Sequence, residues 1–430
     1  MKIPAFIKNN MLLKMTSLNA VVIGIRLVIS LFIQRIIAQM LGEAGVAAIG
    51  QLRNVMSMLM SFSTLGVFNG VVKYVSEYRD DNEKLHQVFS TVFVFTTVGS
   101  VIAAISLFFW SDRWSEIIFD APEYAFVFKV LALVVPAVAM QRIFNGIVNG
   151  LSAYKKFAKI ELFAYLLATG LMLYCLYNYE LDGVLIAIAV TPVIQLGMLL
   201  YLFGGIIKSY IKRKELSFSI PFGRELLAFM AMSFVSTILL NYIEIDIRLM
   251  IKDNITVEDA GYWTAMTNIS KNYMVFSTAL FTLYVIPKFA TISTKGAFKK
   301  EVLHIYKTLL PLFGVGMILV YIFRDFVIDL IYPEFYGMEP LFKWQLIGDF
   351  IRFASVILAY QFLAKKRVGP FVITELISLG LFYGFAKYLT PIYGAEGVVM
   401  GHALRYGIYF FVVGYLAFTY FKNKKEPTVD

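Results

Sequence analysis

The 430 residues are 59% hydrophobic and only 16% charged, with a mean hydropathy of +0.72, whereas a soluble domain carries about 25% charged residues. Apolar stretches long enough to cross a hydrocarbon core about 30 Å thick recur along the whole chain, and the ten-residue alternating segments of a barrel are not seen. Composition therefore excludes a soluble enzyme and leaves an all-α polytopic membrane protein. The net charge of +10 would point to nucleic acid in a soluble chain, but here the bases gather in short loops, where membrane topology accounts for them.

Met1–Asn10 is basic, lacks a small-residue cleavage site and is read as a retained N-terminus. The first two apolar runs follow, 12–40 and 47–75, joined by a short turn at Leu41-Gly-Glu-Ala-Gly45. They carry Arg26, Arg35 and Arg53. An arginine near mid-bilayer costs roughly 2.5–3.5 kcal/mol on translocon scales, so it normally faces a bundle interior or a wet cavity. Ten more spans are expected at 87–110, 125–150, 157–178, 183–207, 223–250, 259–289, 303–323, 339–363, 369–389 and 396–421. With both termini placed in the cytoplasm, the inside segments hold twenty-five Lys and Arg and the outside segments four, namely Arg113, Lys252, Arg324 and Lys387. Such a bias in short loops sets both ends inside. Trp110 and Trp114 flank an outer loop, at the depth interfacial aromatics prefer.

The longest polar interruption, Lys208–Gly223, falls at the midpoint. It divides the chain into an N-terminal six-helix lobe (1–207), a cytoplasmic linker (208–222) and a C-terminal six-helix lobe (223–430). The halves echo one another: Glu43-Ala-Gly45 returns as Asp259-Ala-Gly261, and Lys73-Tyr74 as Lys288-Phe289. A repeat of this kind implies two lobes related by an axis along the membrane normal with a site between them; chance similarity between apolar helices is the plain alternative. A second echo pairs Phe68-Asn-Gly-Val-Val72 with Phe144-Asn-Gly-Ile-Val148, which a close-packing glycine motif explains equally well.

Ten bases remain in or near spans: Arg26, Arg35, Arg53, Lys129, Arg142, Arg248, Lys271, Lys343, Arg352 and Arg405. The acids so placed are Glu161, Glu244, Asp246, Asp349 and Glu375. A net cationic interior favours a polyanionic substrate, and guanidinium forks suit phosphate. Arg26, Arg53, Arg248 and Lys271, all from the first two helices of either half, are expected to line one vestibule, with Arg35 and Arg142 as further cationic candidates. Arg26 and Arg35 lie nine residues apart and point to opposite sides of a straight helix; Arg26 is preferred for the cavity. Glu244 and Arg248 share a face and can form an internal ion pair, with Asp246 turned away. Asp349 and Arg352, three apart, can likewise neutralise each other. Lys129, Lys343 and Arg405 fit snorkelling or interfacial positions. Lone acids such as Glu375 suit proton or cation coupling, or a protonated carboxyl that only hydrogen-bonds. His402 reads more readily as a packing histidine than as a proton relay. The lone Cys175 reads as a buried bystander. The three histidines, His86, His304 and His402, show no metal-ligand spacing, and no phosphate loop or catalytic constellation is visible. No enzymatic activity, cofactor or metal is expected.

Thr64-Leu-Gly-Val-Phe-Asn-Gly-Val-Val-Lys-Tyr74, Trp344-Gln-Leu-Ile-Gly-Asp349 and Tyr393-Gly-Ala-Glu-Gly397 resemble the Wzx-type flippases of O-antigen and enterobacterial common antigen (lipid III). These are members of the multidrug/oligosaccharidyl-lipid/polysaccharide (MOP) exporter superfamily. The likeness runs in order over nearly the whole chain, with the Trp-Gln-x-x-Gly-Asp segment its most specific part. It implies a V-shaped, twelve-helix transporter of the bacterial inner membrane. Such a protein moves an undecaprenyl-diphosphate-linked oligosaccharide from the cytoplasmic to the periplasmic leaflet by alternating access, driven by a proton or sodium gradient. It further implies contact with membrane lipid, the polysaccharide polymerase and the chain-length regulator. The family's cationic positions carry over to Arg26, Arg35, Arg53 and Arg248, and its helix-ten pair to Gln345 and Asp349, with Arg352 and the acids Glu244, Asp246 and Glu375 as coupling or gating candidates. His402 and Arg405 match no family pattern. The extra helices of lipid II flippases are lacking. Two rivals remain: a drug or metabolite exporter, which would favour an acidic or apolar cavity, and a membrane enzyme of polysaccharide assembly, which would need a large outer loop or a poised carboxylate pair.

Overall fold

The computed structural model describes residues 11–151, 154–210, 217–365 and 367–422. All regular structure among them is helical. The main helices are α1 (Met11–Phe62), α2 (Phe68–Glu77), α3 (Asn82–Phe109), α4 (Ser111–Phe119), α5 (Ala125–Gly150) and α6 (Tyr154–Tyr210). The second half contributes α7 (Gly223–Ser233), α8 (Leu240–Asn254), α9 (Val257–Leu280), α10 (Ile286–Thr291), α11 (Lys295–Ile322), α12 (Arg324–Ile331), α13 (Leu341–Ala364), α14 (Val368–Tyr393) and α15 (Ala395–Lys422). Single π-helical turns join α7 to α8 (Phe234–Leu239) and α9 to α10 (Phe281–Val285).

Among the described residues, nine helical stretches are long and apolar enough to cross a membrane. Two of these contain an interior break. Gly42, in α1, has φ +61° and ψ −164°, a conformation open to glycine because it has no Cβ, and it falls in the turn expected at 41–45. Glu180 plays the same part in α6, with φ +48°, between the runs expected at 157–178 and 183–207. The span expected at 259–289 is not among the nine; α9 carries Glu258, Asp259, Asn268, Lys271 and Asn272 and is correspondingly less apolar.

The chain packs as two compact units, one reaching Leu41 and resuming from Ala48 to Tyr242, the other made of Gly42–Ala47 and everything from Ile243. The boundary between Tyr242 and Ile243 lies beyond the linker expected at 208–222, because the start of the seventh span is built into the first unit. Leu226 is fully buried in a core with Val67, with Val71 and Val75 of α2, Val88 and Phe89 of α3 and Ile147 of α5. Ser61 and Ser233 share a hydrogen bond of 2.7 Å. The backbone N–H groups of Ser217 and Phe222 donate to Ser90 and Thr91 of α3 at 3.2 and 3.1 Å.

Glycines set the closest approaches in this unit. A Cβ on Gly150 would meet Val75 Cβ at 2.8 Å and the Val72 carbonyl at 2.9 Å, and one on Gly146 would meet Val71. Gly70, its counterpart in the Phe-Asn-Gly echo, abuts Leu226 and Phe229. Both copies are therefore close-packing glycines. The second unit is knit by Phe281, Phe289, Phe298, Phe353, Phe362, Tyr409 and Phe421.

Candidate functional site

In the first unit, α1 and α6 enclose a cavity of about 360 Å³ lined by Gln34, Arg53, Met56, Tyr165, Thr191 and Gln195, among others. Pro192 also lines it, inside α6, where proline removes one i→i−4 hydrogen bond. Thr191 donates to the Ala187 carbonyl at 2.8 Å. The Arg26 guanidinium sits 4.9 Å from the centroid of the Tyr165 ring, and the Tyr165 hydroxyl donates to the Arg26 carbonyl at 3.4 Å. Gln195 accepts from Gln141 at 2.9 Å, which ties the wall to α5. The cavity thus combines a guanidinium, amides, hydroxyls and methionine surface, a mixture able to hold an anion beside hydroxyl-rich groups.

Of the other cationic candidates, Arg35 is half-buried on α1. Arg142 stacks 3.8 Å from the Phe68 ring centroid, and its Nε has no hydrogen-bond partner among the described residues. Neither lines the cavity. Arg248 and Lys271 belong to the second unit. Arg248 is 3% exposed, donates from Nε to Thr264 at 2.7 Å and lies 5.2 Å from the Trp263 ring centroid. Glu244 pairs with Lys271 at 3.1 Å across helices, and Asp246 takes no part in that pair.

A second polar centre is built around Asp349 of α13, which has no exposed surface. Its Oδ2 accepts hydrogen bonds from Ser270 (2.6 Å), Tyr273 (2.5 Å) and Gln345 (2.9 Å). Its Oδ1 accepts from His402 Nε2 at 3.1 Å and faces the Arg352 guanidinium at 3.8 Å. Ser270 and Tyr273 project from α9, Gln345 and Arg352 from the turns flanking Asp349, and His402 from α15. Gly348 makes the assembly possible: a Cβ there would strike the His402 ring and meet Ala403 Cα at 3.1 Å. The glycine of the Trp-Gln-x-x-Gly-Asp segment therefore lets α15 approach closely enough for His402 to reach the carboxylate. Four hydrogen-bond donors and one guanidinium around a single buried carboxylate satisfy the rule that a buried charge must be paired and hydrogen-bonded.

On the far side of His402, Arg405 donates to Nδ1 at 3.4 Å and to the Tyr406 hydroxyl at 3.2 Å. Its guanidinium lies 4.1 Å from the Phe382 ring centroid and 4.4 Å from that of Tyr406. Glu375 accepts from the Tyr409 hydroxyl at 2.7 Å. Among the described residues no cluster of His, Cys, Asp and Glu is placed to hold a metal.

The structure thus brings Gln345, Asp349 and Arg352 together as their spacing suggests, and places Arg53 on a cavity whose wall holds Arg26 through Tyr165. Ser270, Tyr273, Tyr165, Gln34 and Gln195 were not singled out by the sequence. Amides in otherwise apolar runs were the signal available for the two glutamines. Arg405, expected near an interface, is 5% exposed, its charge covered by aromatic faces.

Two curated relatives, the lipid III flippases of Escherichia coli (strain K12) and Shigella flexneri, are each 26% identical over 387 residues, covering 88% of this chain and 92% of theirs. Among solved structures, an inward-facing multidrug resistance MATE family transporter of the MOP superfamily superposes with TM-score 0.73 at 14% identity, over 93% of this chain and 96% of that one. The lipid II flippase MurJ in an inward closed conformation gives 0.71 at 13%, over 95% and 94%. The fold is that of a MOP-superfamily transporter, and the protein is a multi-pass membrane protein. The polysaccharide biosynthesis protein family matches residues 12–293, and the chain belongs to that family.

Proposed function

We propose that this protein is a flippase that carries an undecaprenyl-diphosphate-linked oligosaccharide, a lipid III or O-antigen repeat unit, across the bacterial inner membrane. Transport runs from the cytoplasmic to the periplasmic leaflet with both chain termini in the cytoplasm, as the Lys and Arg bias favours. The relatives named lipid III flippase, matched over most of both chains, support this reading. The observation that carries it is the polar cavity with Arg53 on its wall and Arg26 stacked on Tyr165. A diphosphate with its glycan is rejected by hydrocarbon, and a guanidinium-bearing, hydroxyl- and amide-lined cavity removes that penalty while the polyprenyl tail stays in lipid. Arg35, Arg142, Arg248 and Lys271, none of which lines this cavity, are the remaining cationic candidates. Release on the far side requires different affinities in the two states, and an ion gradient acting through the buried polar centre at Asp349 supplies the difference; Glu244, Asp246 and Glu375 are the remaining acidic candidates.

The test is rescue of surface glycan in a bacterium lacking its own lipid III or O-antigen flippase, comparing wild type with Arg26→Ala and Arg53→Ala at matched expression. Rescue by wild type that both variants abolish is the expected result. Rescue by all three would move the cargo away from this cavity, and failure with every donor glycan would shift the reading to an exporter of small molecules.

A further inference from the structure

We propose that His402 takes up the coupling proton on its Nδ1, in direct exchange with the guanidinium of Arg405. The inference rests on the transporter reading above and deepens it by choosing the ion and the atom that binds it.

The hydrogen-bond inventory fixes the starting state. The Asp349 carboxylate already receives Ser270, Tyr273 and Gln345 on Oδ2 and can only accept from His402. The Gln345 amide nitrogen, 3.5 Å from His402 Nε2, donates over the shorter 2.9 Å to Asp349, so His402 Nε2 carries a hydrogen for Oδ1. A neutral imidazole then has its lone pair on Nδ1, where the Arg405 N–H donates at 3.4 Å. A sodium ion needs oxygen lone pairs, and those of Asp349 are turned to donors. A proton needs one lone pair, and His402 Nδ1 offers it.

The remaining neighbours decide what protonation does. From α13 come Asp349 and Arg352. From α9 comes Tyr273, whose hydrogen bond ends on Asp349, with Lys271 bound to Glu244 of α8. From α14 comes Glu375, held by Tyr409. From α11 comes Tyr306, whose hydroxyl donates to the Ala354 carbonyl. On α15 itself stand Arg405, Tyr406 and Tyr409. Arg405 has no carboxylate partner among the described residues, and its Nε lacks any hydrogen-bond acceptor there. A guanidinium does not give up its proton. A second proton on His402 would set N–H against N–H and cation against cation, so proton and guanidinium cannot share Nδ1. The arrangement described here, with Arg405 on Nδ1, is the proton-released one; uptake requires Arg405 to swing off the ring. Arg405 is therefore a positioning residue for the proton, and a cation whose availability follows the protonation of its neighbour.

The chain has three histidines, which makes the ring observable. In the full-length protein in lipid nanodiscs, His86→Gln and His304→Gln leave His402 as the only ¹⁵N-histidine signal. At alkaline pH the spectrum should show the neutral Nε2–H form, and acidification should protonate Nδ1. Arg405→Gln should raise that midpoint by about one unit or more, since a like charge has been removed. His402→Gln offers an amide donor to Asp349 and an amide oxygen to Arg405. It should fold and stay insensitive to pH in proteoliposome flipping of a fluorescent undecaprenyl-diphosphate glycolipid, where wild type responds to pH. An Nδ1–H form at alkaline pH, a midpoint unmoved by Arg405→Gln, or a wild-type pH profile in His402→Gln overturns the proposal. The ring titration needs no cargo, so it decides the exchange even if glycan rescue fails and the flippase reading falls.

Discussion

Ser270 donates to a carboxylate oxygen at 2.6 Å in a setting with no solvent. Hydrogen bonds to charged groups contribute about 1.5–3 kcal/mol, and neutral ones about 1. Ser270→Ala should therefore lower the unfolding free energy of the purified chain by about 1.5–3 kcal/mol, read by reversible denaturing-detergent titration. In an Asp349→Asn background the acceptor is a neutral amide, and the same substitution should cost about 1 kcal/mol or less. The difference between the backgrounds isolates the charge-assisted part of the contact. Tyr273→Phe should behave alike, and Ser270→Ala with Tyr273→Phe should cost more than the two singles summed, because both donors serve Oδ2 and each single variant leaves the other to shorten onto it. An equal cost of Ser270→Ala with and without Asp349 would show that the hydroxyl does not serve the carboxylate, and the assembly around Asp349 would have to be redrawn.

Gly348→Ala should act at a distance from its own backbone: its Cβ pushes α15 outward and costs about 1–3 kcal/mol, and His402→Ala should recover part of that loss by clearing the ring, a pattern visible in the same titration. Gly150→Leu should fail to accumulate at wild-type levels, since even a Cβ meets Val75 at 2.8 Å, whereas Gly205→Ala, with nothing within 4 Å, should be neutral or stabilising by about 0.4–1 kcal/mol; quantitative blotting of membranes distinguishes them. Ser61→Cys with Ser233→Cys, in a Cys175→Ser background, should form a disulfide that keeps the two segments linked after protease cleavage in the 208–222 linker, because the two hydroxyls lie 2.7 Å apart.

Much of this was legible in the sequence because bilayers tax charge and reward apolar length. The arginines of the first two runs stood out as charges in hydrocarbon, the turn at Gly42 as a glycine cluster, and Gln345, Asp349 and Arg352 as neighbours one turn apart on a helix. What stayed hidden came from other helices. Periodicity tells which face Glu244 occupies but not that Lys271, twenty-seven residues on, reaches its carboxylate at 3.1 Å. Ser270 and Tyr273 are ordinary span residues until α9 meets α13. His402 reads as packing because only the missing side chain of Gly348 brings it to Asp349. The division at 208–222 followed the polar linker, whereas packing follows Leu226 and Ser233 into the first unit.

That last placement bears on how the protein can be made. A ribosome that has finished the sixth span has not yet supplied Leu226, and the faces of Gly70 and Gly66 that receive α7 remain uncovered. The first unit is then incomplete at the linker, and a gene split there leaves the upstream fragment with an open seam. A split moved past Tyr242 carries the missing helix with it, so complementation between fragments should depend sharply on which side of α7 the cut falls.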